Sequence, residues 1–207
     1  MSSLNKKPLL VGLTGGIGSG KTVVSNQFEK MGIPCFYADK VAGTYYTDKD
    51  FCEKLYPIFG DVVFDENGVP NKRKIAEIVF SNPDKLQQLN AIVHPKVMSD
   101  FEIWVALHAD SPYVIQENAI LFEHGFETMF DKTIMVYAPK DLRIRRVLKR
   151  DKTTYEAVEA RINNQMDDEE KRKKSDYVIL NYKGEKYRTS RIEKVHKKIL
   201  EFIAQKS

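Results

Sequence analysis

The sequence predicts an α/β protein, with one sheet of about five parallel strands and helices on both faces, three layers in all. Two observations carry this. Leu9-Leu10-Val11-Gly12-Leu13-Thr14 is apolar at nearly every position instead of alternating, which is how a strand covered on both faces of a parallel sheet reads. Further short apolar runs recur along the chain, separated by stretches of helical spacing, the arrangement of βαβ units.

Taken in order, residues 9–14 form the first strand, and Gly15-Gly16 bounds it. Residues 22–31 carry helical spacing through Val24, Phe28 and Met31, and Gly32 and Pro34 stop that helix. Residues 35–38 read as a second short strand ending at Asp39. From 41 to 108 strand signal is scarce. Residues 49–59, 71–80 and 83–93 are amphipathic at helical period, punctuated by Gly68-Val69-Pro70 and Ser81-Asn82-Pro83. Ser81 or Asn82 caps a helix that has Pro83 at its first position. Pro95 predicts a break or kink, which makes His94 a helix-terminal residue. Strands return at 113–117, 133–138 and 177–180, with a charged helical region at 141–174. The last helix, 190–204, gathers Ile192, Val195, Ile199, Leu200 and Ile203 on one face. Lys194, Lys197 and Lys198 form its wet face.

Composition bounds the function. The 207 residues are 42% hydrophobic and 30% charged, ordinary for one globular domain of moderate size. The net charge of +4 suits an anionic ligand as well as it suits a lysine-rich surface, and makes no case for nucleic acid. No apolar run approaches the roughly 20 residues that span a bilayer. Residues 1–7 carry positive charge without a long apolar segment behind it, so no signal peptide is expected. Cys35 and Cys52 form no metal-type pair, Cys35 reads as core, and His94, His108, His124 and His196 lack metal-ligand spacing. A reducing, cytoplasmic setting is expected.

The chemistry centres on Gly15-Gly16-Ile17-Gly18-Ser19-Gly20-Lys21-Thr22, a full match to G-x-x-x-x-G-K-[ST] between a strand and a helix. Glycines let the chain curl so that successive N–H groups face phosphate oxygens, and the helix start adds about half a positive charge. Lys21 neutralises β- and γ-phosphates, and the Thr22 hydroxyl is placed for Mg²⁺. Gly15, Gly16, Gly18, Ser19, Gly20, Lys21, Thr22 and Val23 are therefore the expected ATP contacts. The fold class is that of the P-loop NTPases, and the loop points to ATP-dependent phosphotransfer.

Kinase, GTPase and motor ATPase all share such a loop. Asn164-Gln165-Met166-Asp167 faintly resembles a guanine-reading motif but lies in a charged helical run, and the third strand ends Gln116-Glu117 instead of the hydrophobic-Asp-Glu of many ATPases. Asp39, at the carboxyl end of the second strand, sits at the sheet edge where open α/β folds bind ligands. It can take a proton from a hydroxyl, help to hold Mg²⁺, or cap the following helix. Arg143, Arg146 and Arg150 share a helix face, with Arg161 and Gln165 repeating the spacing. They form either a solvated face paired with Asp141, Asp151, Glu159 and Asp168 or a lid that stabilises the transferred phosphoryl group. Cys35 and the remaining histidines offer no competing centre.

These motifs, in this order, resemble the dephospho-CoA kinase family along nearly the whole chain. The resemblance rests on 12–22, on Tyr37-Ala38-Asp39, on Leu89-Asn90-Ala91-Ile92-Val93-His94-Pro95-Lys96-Val97, and on Leu121-Phe122-Glu123. It continues through Arg146 to Asp151, Arg161 to Met166, and Asp176-Tyr177-Val178-Ile179-Leu180-Asn181. It implies transfer of the ATP γ-phosphate to the ribose 3′-hydroxyl of dephospho-CoA, with Asp39 as base, and Lys21, Arg146 and Arg150 as the other catalytic groups. By the same likeness His94, Glu117, Leu121 and Arg161 serve the acceptor, and Thr22, Asp39 and Glu117 the Mg²⁺. His94 otherwise reads as a structural histidine. It also implies a single domain over 1–207. A nucleotide-binding core comprises 1–40, 109–140 and 175–207, a helical substrate-binding insertion 41–108, and a lid 141–174. The chain departs from the family at Glu117-Asn118-Ala119, where aspartate and proline are usual, which predicts a less rigid turn, and at Tyr182-Lys183-Gly184. Expected partners are ATP and dephospho-CoA, with no nucleic acid or membrane, for a monomer or small homo-oligomer. Another nucleoside or nucleotide kinase, or a nucleotide-dependent switch, are the competing readings.

Overall fold

The computed structural model describes residues 7–206; the segment read as lacking a signal peptide lies almost wholly outside them. The described chain divides into two compact units, 7–37 with 105–206, and Ala38–Trp104.

The first unit holds the sheet. Its strands are β1 (Leu9–Thr14), β2 (Cys35–Tyr37), β3 (Tyr113–Glu117), β4 (Lys132–Tyr137) and β5 (Tyr177–Leu180), all parallel, in the order β2-β3-β1-β4-β5. The glycine-bounded apolar run is thus the central strand, and the strand order reverses around it, which places the ligand crevice at its carboxyl end. Alternation sends Val11 and Leu13 to one face. There they pack with Ile115, Ile134, Val136 and Ile179 under Val24 and Phe28 of α1 (Lys21–Lys30) and Ile192, Val195 and Ile199 of α9 (Glu185–Lys206). On the other face Gly12 leaves room for Leu121 and Phe130. Cys35 is buried in this core as a free thiol, its ionisation pushed well up by burial.

The second unit is helical: α2 (Ala38–Thr44), α3 (Lys49–Phe59), α4 (Lys72–Ser81) and most of α5 (Pro83–Ala106). Asp48 caps α3 through the Phe51 N–H, Asn71 caps α4 through Arg73 and Lys74, and Asn82 caps α5 through Lys85, with Pro83 at the first position as its sequence predicts. Tyr45, Phe51, Leu55, Phe59, Val63 and Ile75 are among its buried apolar residues.

Three expectations are corrected. First, α5 runs through His94-Pro95 without ending, for 24 residues. A proline costs a helix interior about 3 kcal/mol. Leu89 before it and Val97 and Phe101 after it are all buried, and such side chains contribute about 1.5–3 kcal/mol each. The burial outweighs the proline. Second, Asp39 lies in the first turn of α2 and not at a strand end. The ladder between β2 and β3 finishes at Tyr37↔Glu117, where β3 itself ends, so no partner remains to extend β2. Third, the charged stretch is three helices, α6 (Lys140–Asp151), α7 (Tyr155–Asn163) and α8 (Asp168–Lys174). Lys152 closes α6 in the left-handed region (φ 49°), and Thr154 and Asp167 start the next two by accepting from the N–H groups of Ala157 and Glu169. Asn164 to Asp167 therefore form a connection, not a helical run.

Candidate active site

The loop joins β1 to α1. Gly18 (φ 79°) and Gly20 (φ 89°) occupy the left-handed region that other residues rarely adopt, and a side chain at Gly20 would collide with the Asn181 amide. The Ser19 N–H closes a tight turn onto the Gly16 carbonyl at 3.0 Å. The N-terminus of α1 has no side-chain cap and no acidic residue in its first turn, so its orphan N–H groups and positive dipole end are kept for an anion. Lys21 folds back, its Nζ donating to the Gly15 carbonyl at 3.0 Å. Val23 is exposed, and its N–H donates to the Gly20 carbonyl at 3.1 Å.

Thr22, one residue into α1, donates its hydroxyl to Glu117 Oε1 at 3.1 Å, and Ser25 donates to Glu117 Oε2 at 2.6 Å. Glu117 is the last residue of β3 and buried, so the end of the neighbouring strand meets the face of α1 next to the loop. The hydroxyl and the carboxylate offer only hard oxygen donors, the chemistry that Mg²⁺ requires. The residues fit the ion. Ser25 was not anticipated, although its spacing of three from Thr22 puts it on the same helix face.

Arg143 and Arg146 of α6 reach the loop. Arg143 is buried. Its Nη1 donates to the Ile17 carbonyl at 3.2 Å while its guanidinium pairs with Asp168 at the start of α8. Gln165, in the α7–α8 connection, accepts from the Ile17 N–H at 2.8 Å. Both polar groups of one loop peptide residue are thus held by residues of 140–174. Burial raises the Asp168 carboxyl above its ordinary range, against the pull of Arg143 and Lys171. Arg146 Nη1 donates to the carbonyls of Gly18 (3.3 Å) and Ser19 (3.2 Å), and its Nη2 to Asn181 (2.8 Å). Burial, then the neighbouring Arg188, hold its pKa below the usual arginine range.

The other arginines part company with these two. Arg150 lies exposed at the end of α6 and forks onto Asp151 at 2.6 and 3.0 Å, and Arg161 donates to the same carboxylate at 3.0 Å. The stripe is therefore split: its inner half grips the loop, and its outer half is the solvated ion-paired face. Leu121, expected at the acceptor, is fully buried against the position of Gly12 and is a packing residue. The turn that lacks the family's proline is tied by the Asn118 side chain accepting from Ile120 N–H. The buried Lys171 also ties it, donating to the Ala119 carbonyl at 3.1 Å and pairing with Glu123 at 2.6 Å. In the helical unit, Asp39 is exposed and His94 half-buried.

A parallel sheet whose central strand feeds an uncapped helix through a phosphate-binding loop, with two arginines on that loop, defines a P-loop phosphotransferase. The dephospho-CoA kinase family profile matches residues 9–186. Dephospho-CoA kinase of Leptospira interrogans is 39% identical over 181 residues, 87% of each chain. Among solved structures, TT1252 from Thermus thermophilus superposes with a TM-score of 0.84 at 35% identity, covering 93% of this chain and 98% of that one. Dephospho-CoA kinase from Campylobacter jejuni superposes at 0.59 and 26% identity, over 93% and 98%. The chain belongs to the dephospho-CoA kinase family.

Proposed function

We infer that the protein transfers the γ-phosphoryl group of ATP to the ribose 3′-hydroxyl of dephospho-CoA, giving coenzyme A and ADP. Family membership over most of the chain, together with an intact loop whose helix end is left uncapped for phosphate, carries this reading.

The acceptor oxygen forms the new bond to phosphorus as the bond to the ADP oxygen breaks. We propose that Asp39 takes the hydroxyl proton, a role supported by its exposed carboxylate two residues beyond β2. Lys21 and the α1 N-terminus bind the phosphates, and Arg146 adds positive charge beside the same loop. Thr22 and Glu117 would hold Mg²⁺, with Asp39 as a further oxygen ligand; the ion neutralises charge on the β- and γ-phosphates when bound. His94, with Arg161 in a supporting position, is proposed for acceptor binding, the stretch 41–108 as the substrate region and 141–174 as the lid. The free state of Cys35 and Cys52 supports a cytoplasmic setting. We propose a monomer or small homo-oligomer without nucleic-acid or membrane partners.

The test is ADP release from Mg-ATP with dephospho-CoA, with a panel of nucleosides and nucleotides, and with no acceptor. Stimulation by dephospho-CoA is expected, together with its complete loss in a folded Lys21→Ala variant. Release independent of acceptor points to a switch protein, and stimulation only by a nucleotide to a different kinase.

A further inference from the structure

Asn181 stands one residue beyond β5, and its own N–H continues the β4–β5 ladder by donating to the Tyr137 carbonyl at 2.8 Å. Its side chain is buried and satisfied at both ends. Nδ2 donates to the Ser19 carbonyl at 2.7 Å, and Oδ1 accepts from Arg188 of α9 at 3.1 Å. The Asn181 carbonyl accepts from Arg146, which also donates to Ser19. One sheet-anchored residue thus gathers the loop, α6 and α9.

The consequence lies in the peptide plane between Ser19 and Gly20. In a trans peptide the C=O of one residue and the N–H of the next point in opposite directions. Drawing the Ser19 carbonyl toward Asn181 turns the Gly20 N–H away from it. Among the described residues the Gly20 N–H has no hydrogen-bond acceptor, whereas the Ser19 N–H of the same loop closes onto the Gly16 carbonyl. Gly20 is free to rotate this plane otherwise, because it has no side chain and its φ is 89°.

We propose that Asn181 is a positioning residue that fixes the Ser19–Gly20 peptide with the Gly20 N–H directed at the nucleotide phosphates. This rests on the reading of the loop as an ATP site, and on no property of the acceptor. Arg188 orients the Asn181 amide by occupying Oδ1, so that Nδ2 and not Oδ1 faces the Ser19 carbonyl.

The test is the affinity of the full chain for Mg-ADP by isothermal titration, with KM for ATP and for dephospho-CoA measured beside it. Asn181→Ala removes the donor. Asn181→Asp keeps the size and the acceptor for Arg188 but cannot donate. Both are expected to weaken Mg-ADP binding and to raise KM for ATP by about tenfold or more, with KM for dephospho-CoA within about twofold. Arg188→Gln leaves Asn181 itself intact and is expected to lower affinity less, covering the case in which the Asn181 variants do not fold. Mg-ADP affinity within twofold of wild type in a folded Asn181→Ala or Asn181→Asp protein overturns the proposal, as does an equal rise in both KM values. ADP binding needs no acceptor, so failure to phosphorylate dephospho-CoA would count against the proposed function and leave this test standing.

Discussion

Thr22 donates its hydroxyl to one carboxylate oxygen of Glu117 at 3.1 Å, which links the first turn of α1 to the end of β3 beside the phosphate loop. Ser25 occupies the other oxygen at 2.6 Å, so the carboxylate is held in one orientation by two neutral hydroxyls. Removing its charge while keeping its shape therefore isolates its role toward a cation. Glu117→Gln is expected to fold normally and to need about 10–100-fold more Mg²⁺ for half-maximal activity. A titration of rate against Mg²⁺ checks it. An unchanged midpoint would make Glu117 a brace for α1 only.

Arg146 and Arg150 sit one turn apart on α6, but their surroundings differ. Arg146 is partly buried on the Gly18 and Ser19 carbonyls, and Arg150 is exposed on Asp151. Exposed pairs contribute about 0–1 kcal/mol, up to about fivefold in rate. Arginines that meet the transferred phosphoryl group contribute about 10³-fold or more. Arg146→Ala is expected to lower kcat by well over tenfold and toward that figure, and Arg150→Ala by less than about fivefold. Steady-state kinetics of the two single variants decide it, and similar losses in both would restore the undivided arginine stripe.

Much of this was legible in the chain itself, and the reason is range. The loop motif is eight consecutive residues, and β1, β3 and β5 are bounded by local punctuation, so neighbours along the sequence suffice. The grip on Ile17 is different in kind: its N–H partner, Gln165, is 148 residues away, and helical spacing puts Arg143, Arg146 and Arg150 on one face without saying which of them meets the loop. The same limit hid Asn181 and Ser25 as loop and carboxylate partners. At Pro95 a sound local rule was outvoted by burial on both sides, and at Asp39 the length of β2 was decided by where β3 ends, which β2's own residues do not encode.

Asp39 lies exposed in the first turn of α2, two residues beyond the end of β2. Asp39→Asn keeps the side chain's size and removes its capacity to take a proton. As general base it is expected to contribute about 10²–10⁴-fold to kcat. The variant should lose activity by that factor while its affinity for ADP measured without Mg²⁺ stays within about threefold of wild type, because nucleotide binding precedes proton transfer. An activity loss under tenfold would reduce Asp39 to a helix-start residue.

Asp176 offers a test of stability instead of chemistry. It precedes β5 and accepts from the Thr133 N–H at 2.8 Å, the Thr133 hydroxyl at 2.9 Å and Lys132 Nζ at 2.9 Å, joining the starts of β4 and β5. Burial alone would raise this carboxyl, but the hydrogen bonds from Lys132 and Thr133 together outweigh it and hold it below its ordinary value. A depressed folded-state pKa means that the stabilisation is present above the unfolded carboxyl value of about 3.9 and is lost as pH falls through the folded value. Asp176→Asn is expected to cost about 1 kcal/mol at pH 7, toward the lower end because solvent screens a partly exposed carboxylate. Urea unfolding of both proteins at pH 7, 5 and 3 gives the measurement. The gap between them should be equal at the two higher values and shrink at pH 3, whereas a gap that ignores pH would mean that the charge on Asp176 does not hold β4 and β5 together.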